Sequence, residues 1–256
     1  MRVRERLQDA AALLGARGID PERCRQLWAD FSDDYVLRHT SEEIAWHTQA
    51  ILEADPASLP RVVISERVTR GTTPIFIYAR GNDGFFAAVT SVLTRLGLNI
   101  VDARIITSKS GHTLDTYLVL DEHNRPIQDP ARIAEMREQI ERGIRAPREL
   151  PPPPRRPLPR QLRHFKVPTR ITTERAADGR YTLMELIAGD RPGLLADVAR
   201  TLYEFGLRVH DAKISTLGET AENIFLISDR DDRPVEDPAV LEPLLATLKE
   251  RIESGR

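Results

Sequence analysis

Asp190-Arg191-Pro192-Gly193-Leu194-Leu195 is the part of the chain best suited by composition to hold a small charged ligand. An apolar run, 182–188, precedes it and an amphipathic stretch, 194–205, comes after it, so it reads as a tight corner between a strand and a helix. Pro192 has no backbone N–H and suits the first turn of a helix. Gly193 has no Cβ, so the chain can turn sharply there and a ligand can come close. The unpaired N–H groups at the helix start then offer a place for a carboxylate or another anion. A single Pro-Gly corner would be an ordinary turn. Here the pattern around it occurs twice.

With Gly84 set on Gly193, 109 residues apart, Phe85-Phe86-Ala87 falls on Leu194-Leu195-Ala196 and Gly97-Leu98 on Gly206-Leu207. Asp102-Ala103-Arg104-Ile105 falls on Asp211-Ala212-Lys213-Ile214. After the loss of one residue, Asp115, Asp121, Pro126, Asp129 and Pro130 match Asn223, Asp229, Pro234, Asp237 and Pro238. Two copies of one module are present. The corner of the first copy is Asn82-Asp83-Gly84-Phe85, and its two phenylalanines, Phe85 and Phe86, are candidates to fill the pocket themselves.

A chain of 256 residues has room for two or three domains. A net charge of −2 argues against a general nucleic-acid binder. No apolar run approaches a signal or membrane segment, and Cys24 is the only cysteine, which leaves no internal disulfide and no cysteine zinc cluster. A cytoplasmic protein with no membrane partner is the expectation.

The scaffold around the two corners can be read from pattern. Residues 1–60 read as a helical segment, with a capping box at Thr40-Ser41-Glu42-Glu43 and an apolar face behind it. It carries too little apolar surface to fold alone, so it should brace the neighbouring module or end a larger helical domain. His39 and His47 lack an H-E-x-x-H pattern and read as packing or surface residues, not metal ligands. Residues 61–146 then read as β-β-α-β-β-α, and 169–256 repeat that order. Between them, 147–168 is a Pro/Arg-rich linker, a stiff spacer or, functionally, a ligand for an acidic or SH3-like groove. Four antiparallel strands with two helices on one face make an α+β, ferredoxin-like module. Because each copy ends on a helix, the leading strand must take the edge place. Residues 62–66 should pair antiparallel with 75–79, and 170–173 with 183–187.

That fold also hosts RNA readers, which need exposed aromatics on the central strands. The first copy offers Phe76, Tyr78 and Tyr117, the second chiefly Phe225, whereas the corner glycine is kept in both. A small ligand is the better reading.

Asp190-Arg191-Pro192-Gly193-Leu194-Leu195-Ala196, with Gly206-Leu207 and a strand after it, resembles an ACT domain. The resemblance implies amino-acid binding at an interface between two modules. The ligand would meet a strand-to-helix corner and a polar residue at the start of the next strand, Asn99 in the first copy and Arg208 in the second. Over nearly all of the chain, stretches such as 35–40 with 44–48, 69–71, 98–107, 164–169 and 212–219 are similar to the C-terminal region of the bifunctional uridylyltransferase/uridylyl-removing enzymes. That family adds UMP to, and removes it from, the nitrogen regulatory protein PII. Its ACT pair senses L-glutamine, and high glutamine favours removal.

The family's transferase site uses a Gly-Ser turn and paired aspartates that hold Mg²⁺, and its hydrolase site a His-Asp doublet with further histidines. No Gly-Ser occurs here. Asp229-Arg230-Asp231-Asp232 reads as a solvated turn, and His210-Asp211 lies on a strand. The resemblance therefore implies a glutamine-sensing regulatory portion without catalytic domains, inactive by itself and with no cofactor of its own; Mg²⁺ would belong to the absent domains. PII would be met through the full-length enzyme. The alternative is a free-standing ACT pair sensing another amino acid.

Overall fold

The computed structural model describes residues 2–81, 83–146 and 167–254; Asn82 and the linker's 147–166 lie outside the described residues. Four helices come first: α1 (Arg2–Gly15), α2 (Pro21–Trp28), α3 (Asp33–Arg38) and α4 (Ser41–Leu52). The starts of the last three are set by side chains that take up unpaired N–H groups. Asp20 caps α2, Ser32 caps α3, and the Thr40/Glu43 box caps α4.

The first module runs β1 (Arg61–Ile64), β2 (Thr73–Arg80), α5 (Phe85–Arg95), β3 (Asn99–Ile106), β4 (His112–Leu120) and α6 (Pro130–Arg145). The second repeats it as β5 (Arg170–Arg175), β6 (Thr182–Gly189), α7 (Leu194–Glu204), β7 (Arg208–Leu217), β8 (Thr220–Ser228) and α8 (Pro238–Ser254). Both leading strands take the expected edges. Arg61 faces Tyr78 and Ile64 faces Ile75, and β5 lies along β6 from Arg170↔Ile187 to Arg175↔Thr182. The first ladder stops at Ile64, short of the expected residue 66. There the chain turns as the Ser65 hydroxyl accepts the N–H of Arg67.

The two modules share one antiparallel sheet of eight strands, ordered β1-β2-β4-β3-β7-β8-β6-β5. The order reads the same from both ends when each strand is exchanged for its counterpart. At the centre, β3 pairs with β7 from Asp102↔Ser215 to Ile106↔Asp211, and Arg104 faces Lys213. Those two are equivalent in the repeat, so a local twofold axis passes between them. Helices α5 to α8 cover one face of the sheet around a continuous core that includes Ile77, Tyr117, Met136, Val198, Phe225 and Leu248.

The opposite face differs between modules. Helices α1 to α4 lie on the first module's face, where Phe76, Ile106 and Leu114 join Leu14, Tyr35 and Ile44 in a second core. The His47 ring stacks on Phe76, centroids 3.9 Å apart. Three of the aromatics an RNA reader would need are thus core: Phe76, Tyr117 and Phe225 are buried, and the fourth, Tyr78, is half-buried and stacked on His112. His39 and His47 are packing residues. His39 Nδ1 contacts the Tyr35 carbonyl at 2.8 Å and Tyr35 Oη meets His47 Nδ1 at 2.8 Å. Burial pushes both imidazoles down, His39 to about 4.

The helical layer is fastened at the module junction. Arg38 pairs with Asp211 of β7 at 2.6 Å. Arg104 pairs with Glu43 at 3.0 Å and donates to the Arg38 carbonyl at 2.9 Å. On the second module the corresponding sheet face leaves Ile187 and Ile224 exposed.

Candidate functional site at the module junction

Each corner is built the same way. Strand β6 ends at Gly189, and the Asp190 N–H donates to the Glu219 carbonyl at 2.8 Å, which turns the chain off the sheet. Gly193 lies at φ +80°, and Gly84 at φ +83°. In that left-handed region a Cβ meets the neighbouring carbonyl, so glycine is the residue that fits. Each glycine is the N-cap of its helix, and neither helix has a side-chain cap there. Pro192 therefore lies two residues ahead of the first helical residue and not in the first helical turn, as expected from sequence. The left-handed glycine comes between them.

Helices α5 and α7 pack side by side over the junction, so each corner looks at the other module. Around Gly193 a cavity of about 410 Å³ is lined by Asp190 to Leu195 from the second module and by Thr94, Asn99, Ile100 and Val101 from the first. Around Gly84 a cavity of about 280 Å³ is lined by Asp83, Gly84 and Phe85 from the first module and by Tyr203, Arg208 and His210 from the second. The strand-start residues are thus crossed: Asn99 stands by the Gly193 corner, and Arg208 by the Gly84 corner.

The two cavities differ in two ways. A Cβ built on Gly84 would lie 2.8 Å from the Tyr203 ring, whereas one on Gly193 would meet Thr94 Cγ2 at 3.4 Å and Arg191 Nη1 at 4.0 Å. Tyr203 and Thr94 are equivalent positions. The Tyr203 ring narrows the first cavity, which Phe85 and Phe86 also line. The second difference is charge. Arg208 is bound by Asp83 at 2.6 Å and Asp232 at 3.0 Å, so the first corner supplies its own anion. The residue equivalent to Asp83 is Pro192, which has no carboxylate. Asn99 instead donates within its own module, to Asn124 Oδ1 at 3.1 Å.

Asp190 is half-buried, and burial pushes its carboxyl up, partly offset by the neighbouring Arg191 N–H. A cation beside it would favour its charged form. Arg191 lines the pocket, but its Nη2 is engaged elsewhere, by Asp197 of α7 and the Arg251 carbonyl of α8, while its buried Nε has no partner among the described residues. It braces two helices instead of presenting a free charge.

The inner walls hold residues that sequence reasoning passed over. Asp115 on β4 lines the first cavity and its counterpart Asn223 on β8 lines the second. Asp115 is fully buried, accepts the Thr113 and Tyr117 hydroxyls, and has its carboxyl pushed up to about 7, chiefly by burial. Asn223 is 2% exposed, and neither of its amide atoms has a hydrogen-bond partner among the described residues. A signal existed: each is a polar residue at an inward position of a strand whose inward neighbours, Tyr117 or Ala221 and Phe225, are apolar.

Asp115 makes stability depend on pH. Its folded-state value lies above the unfolded one, so its contribution is complete below about pH 4 and is lost as pH rises through about 7. The slope approaches about 1.4 kcal/mol per pH unit in that window. Asp115→Asn should therefore gain stability over the parent chain as pH is raised from 5 to 8, measured by urea unfolding. A constant difference across that range would contradict it.

The Asp229 carboxylate accepts the N–H groups of Asp231 and Arg233, His210 Nε2 contacts Ser228 Oγ at 2.8 Å, and Asp211 pairs with Arg38. Among the described residues no three His, Cys, Asp or Glu side chains are placed to hold a metal ion. No helix described is long and apolar enough to cross a membrane.

Two ferredoxin-like modules joined edge to edge, with a glycine corner of each opening onto the other, define a tandem ACT-domain protein. Residues 182–253 match the family described as ACT domain, and residues 1–50 the family described as uridylyltransferase GlnD fifth domain. The chain matches the C-terminal regulatory region of the bifunctional uridylyltransferase/uridylyl-removing enzymes, and these 256 residues do not include the catalytic domains. It is 42% identical over 258 residues to that enzyme of Pseudomonas putida, covering 99% of this chain and 29% of the relative. The enzyme of Ectopseudomonas mendocina is 43% identical over 254 residues (98% and 28%), and that of Azotobacter vinelandii 41% over 257 (99% and 29%). The chain thus spans about 29% of the length of such curated relatives.

Proposed function

We propose that this region senses L-glutamine and passes its occupancy to the uridylyltransferase and uridylyl-removing activities of a full-length cytoplasmic enzyme acting on PII, and that these 256 residues catalyse neither reaction. The observation that carries the reading is the crossed construction of the two cavities. A ligand at the Gly193 corner touches α7 of one module and β3 of the other, so binding and module packing are one equilibrium.

The α-carboxylate of the amino acid goes to the free N–H groups at the start of α7, where the helix dipole favours negative charge. Its ammonium goes beside Asp190, and Asn99 stands at the rim. The Gly193 cavity is the stronger candidate, because Tyr203 narrows the other and Asp83 already occupies Arg208. Whichever packing glutamine prefers is favoured by its differential affinity, and α3 and α4, tied to the junction through Arg38 and Arg104, carry that change outward.

The test is a thermal melt with L-glutamine and with L-glutamate. A ligand at 100 times its dissociation constant stabilises by about 2.7 kcal/mol, which for a chain of this size raises the midpoint by roughly 5–10 °C. Glutamine should do so and glutamate should not. Equal shifts, or none with either, would defeat the glutamine reading.

A further inference from the structure

We infer that Asn223 is the residue that reads the ligand's side-chain carboxamide in the Gly193 cavity, and so sets the choice of a primary amide over a carboxylate. The inference rests on the glutamine-sensing reading and adds to it a specificity-determining residue.

Buried polar groups are almost always hydrogen-bonded, and one left without a partner costs stability. Asn223 breaks that rule twice over, with donor and acceptor both unpaired among the described residues although the side chain is 2% exposed. It does so on the wall of the cavity that the Gly193 corner opens. A primary amide is the group that satisfies both atoms at once: its N–H meets Oδ1 and its carbonyl accepts from Nδ2. A carboxylate can accept from Nδ2 but sets an anion against Oδ1, with no hydrogen to offer. A site built to bond an amide rejects an analogue that leaves its own polar atoms unpaired.

The rim asparagine is a poorer reader. Asn99 Nδ2 is already turned to Asn124 Oδ1 and, at 3.4 Å, to the Asp121 carbonyl. The counterpart cavity supplies the contrast. At the equivalent place Asp115 takes its hydrogen bonds from Thr113 and Tyr117 within its own module. One wall is closed on itself, and the other is left open for a ligand.

The test uses the 256-residue chain, titrated with L-glutamine and L-glutamate by calorimetry and melted without ligand. Asn223→Leu keeps the volume and removes an unpaired amide, so the unliganded protein should melt at the same or a higher temperature. Glutamine affinity should fall roughly 10- to 100-fold, the worth of two neutral hydrogen bonds. Glutamate, weak at the start, should change much less, so that discrimination collapses. Asn223→Asp keeps the shape and loses the donor, and should also lose glutamine without gaining glutamate. If Asn223→Leu does not fold, the aspartate variant decides. Unchanged glutamine affinity and preference in the folded variants would overturn the role of Asn223 and leave the sensor standing. Equal loss for both amino acids would show a structural role and overturn the specificity claim. No glutamine binding by the parent chain would overturn both.

Discussion

Gly84→Val should lower stability by about 4 kcal/mol, and Gly84→Ala should cost clearly more than Gly193→Ala. Both glycines sit in the left-handed region, where any Cβ costs about 1–2 kcal/mol. That cost is common to the two alanine variants and cancels in the comparison. What differs is the neighbour. At Gly84 the new carbon would stand 2.8 Å from the Tyr203 ring, and at Gly193 only ordinary contacts with Thr94 and Arg191 form. Overpacking of that kind typically adds about 1–3 kcal/mol. Tyr203 is 45% exposed and could swing out, but only by leaving the contact between α5 and α7. Either response loosens the junction. The double variant Gly84→Ala/Tyr203→Ala should then recover part of the loss, a non-additivity of about 1–2 kcal/mol. Equal costs at the two glycines would show that Tyr203 is not the constraint.

Arg104→Ala should cost about 3–5 kcal/mol, the usual result of leaving one buried charge without its partner. The Arg104 side chain is 8% exposed at the centre of the sheet, and it holds Glu43, Asp102 and the Arg38 carbonyl together. The loss should depend on pH. Burial alone would raise the Glu43 carboxyl, but Arg104, with the Thr40 N–H, holds it below its ordinary range. A depressed carboxyl contributes stability that is present above the unfolded value, about 4.3, and disappears as pH falls through the folded one. The gap between parent and variant, from urea midpoints at pH 3 to 7, should therefore narrow on acidification. It should also appear as detachment of α1 to α4, read from faster amide exchange around Tyr35 and Ile44. A gap that stays constant with pH is the outcome that sinks this assignment.

Much of the architecture was legible because it rests on local rules applied twice. A repeated β-β-α-β-β-α order leaves one sheet edge for the first strand of each copy, and β1 and β5 are found there. The Thr40 box was readable as short-range hydrogen bonding. The corner glycines were legible because few other residues tolerate their backbone.

The pairing of the modules was not legible. Strand β3 carries Asp102 and Arg104, and β7 carries Asp211 and Lys213, and such strands read as exposed edges. Only the folded chain shows them joined with Arg104 opposite Lys213. For the same reason the partners of each corner were hidden. Tyr203 and Thr94 look like outward residues of two separate helices until the helices are laid side by side. Asn223 is the hardest case. One asparagine in an apolar strand gives no sign of whether its amide will find a partner, because that depends on what the other module brings near it. Pro192 was misplaced by one rule winning over another: a proline before a glycine at φ +80° marks the turn, not the helix.

The helices on one sheet face have a consequence for what kind of signal the pair can send. A device with two identical halves gives the same answer whichever half is loaded, so it can count its ligands but cannot tell them apart. Here α1 to α4 lie on the first module, reach across the axis to Asp211, and leave the outer face of the second module open. Left and right are therefore labelled. A molecule bound at the Gly193 corner and one bound at the Gly84 corner would be different messages, delivered to a single reader seated off the axis.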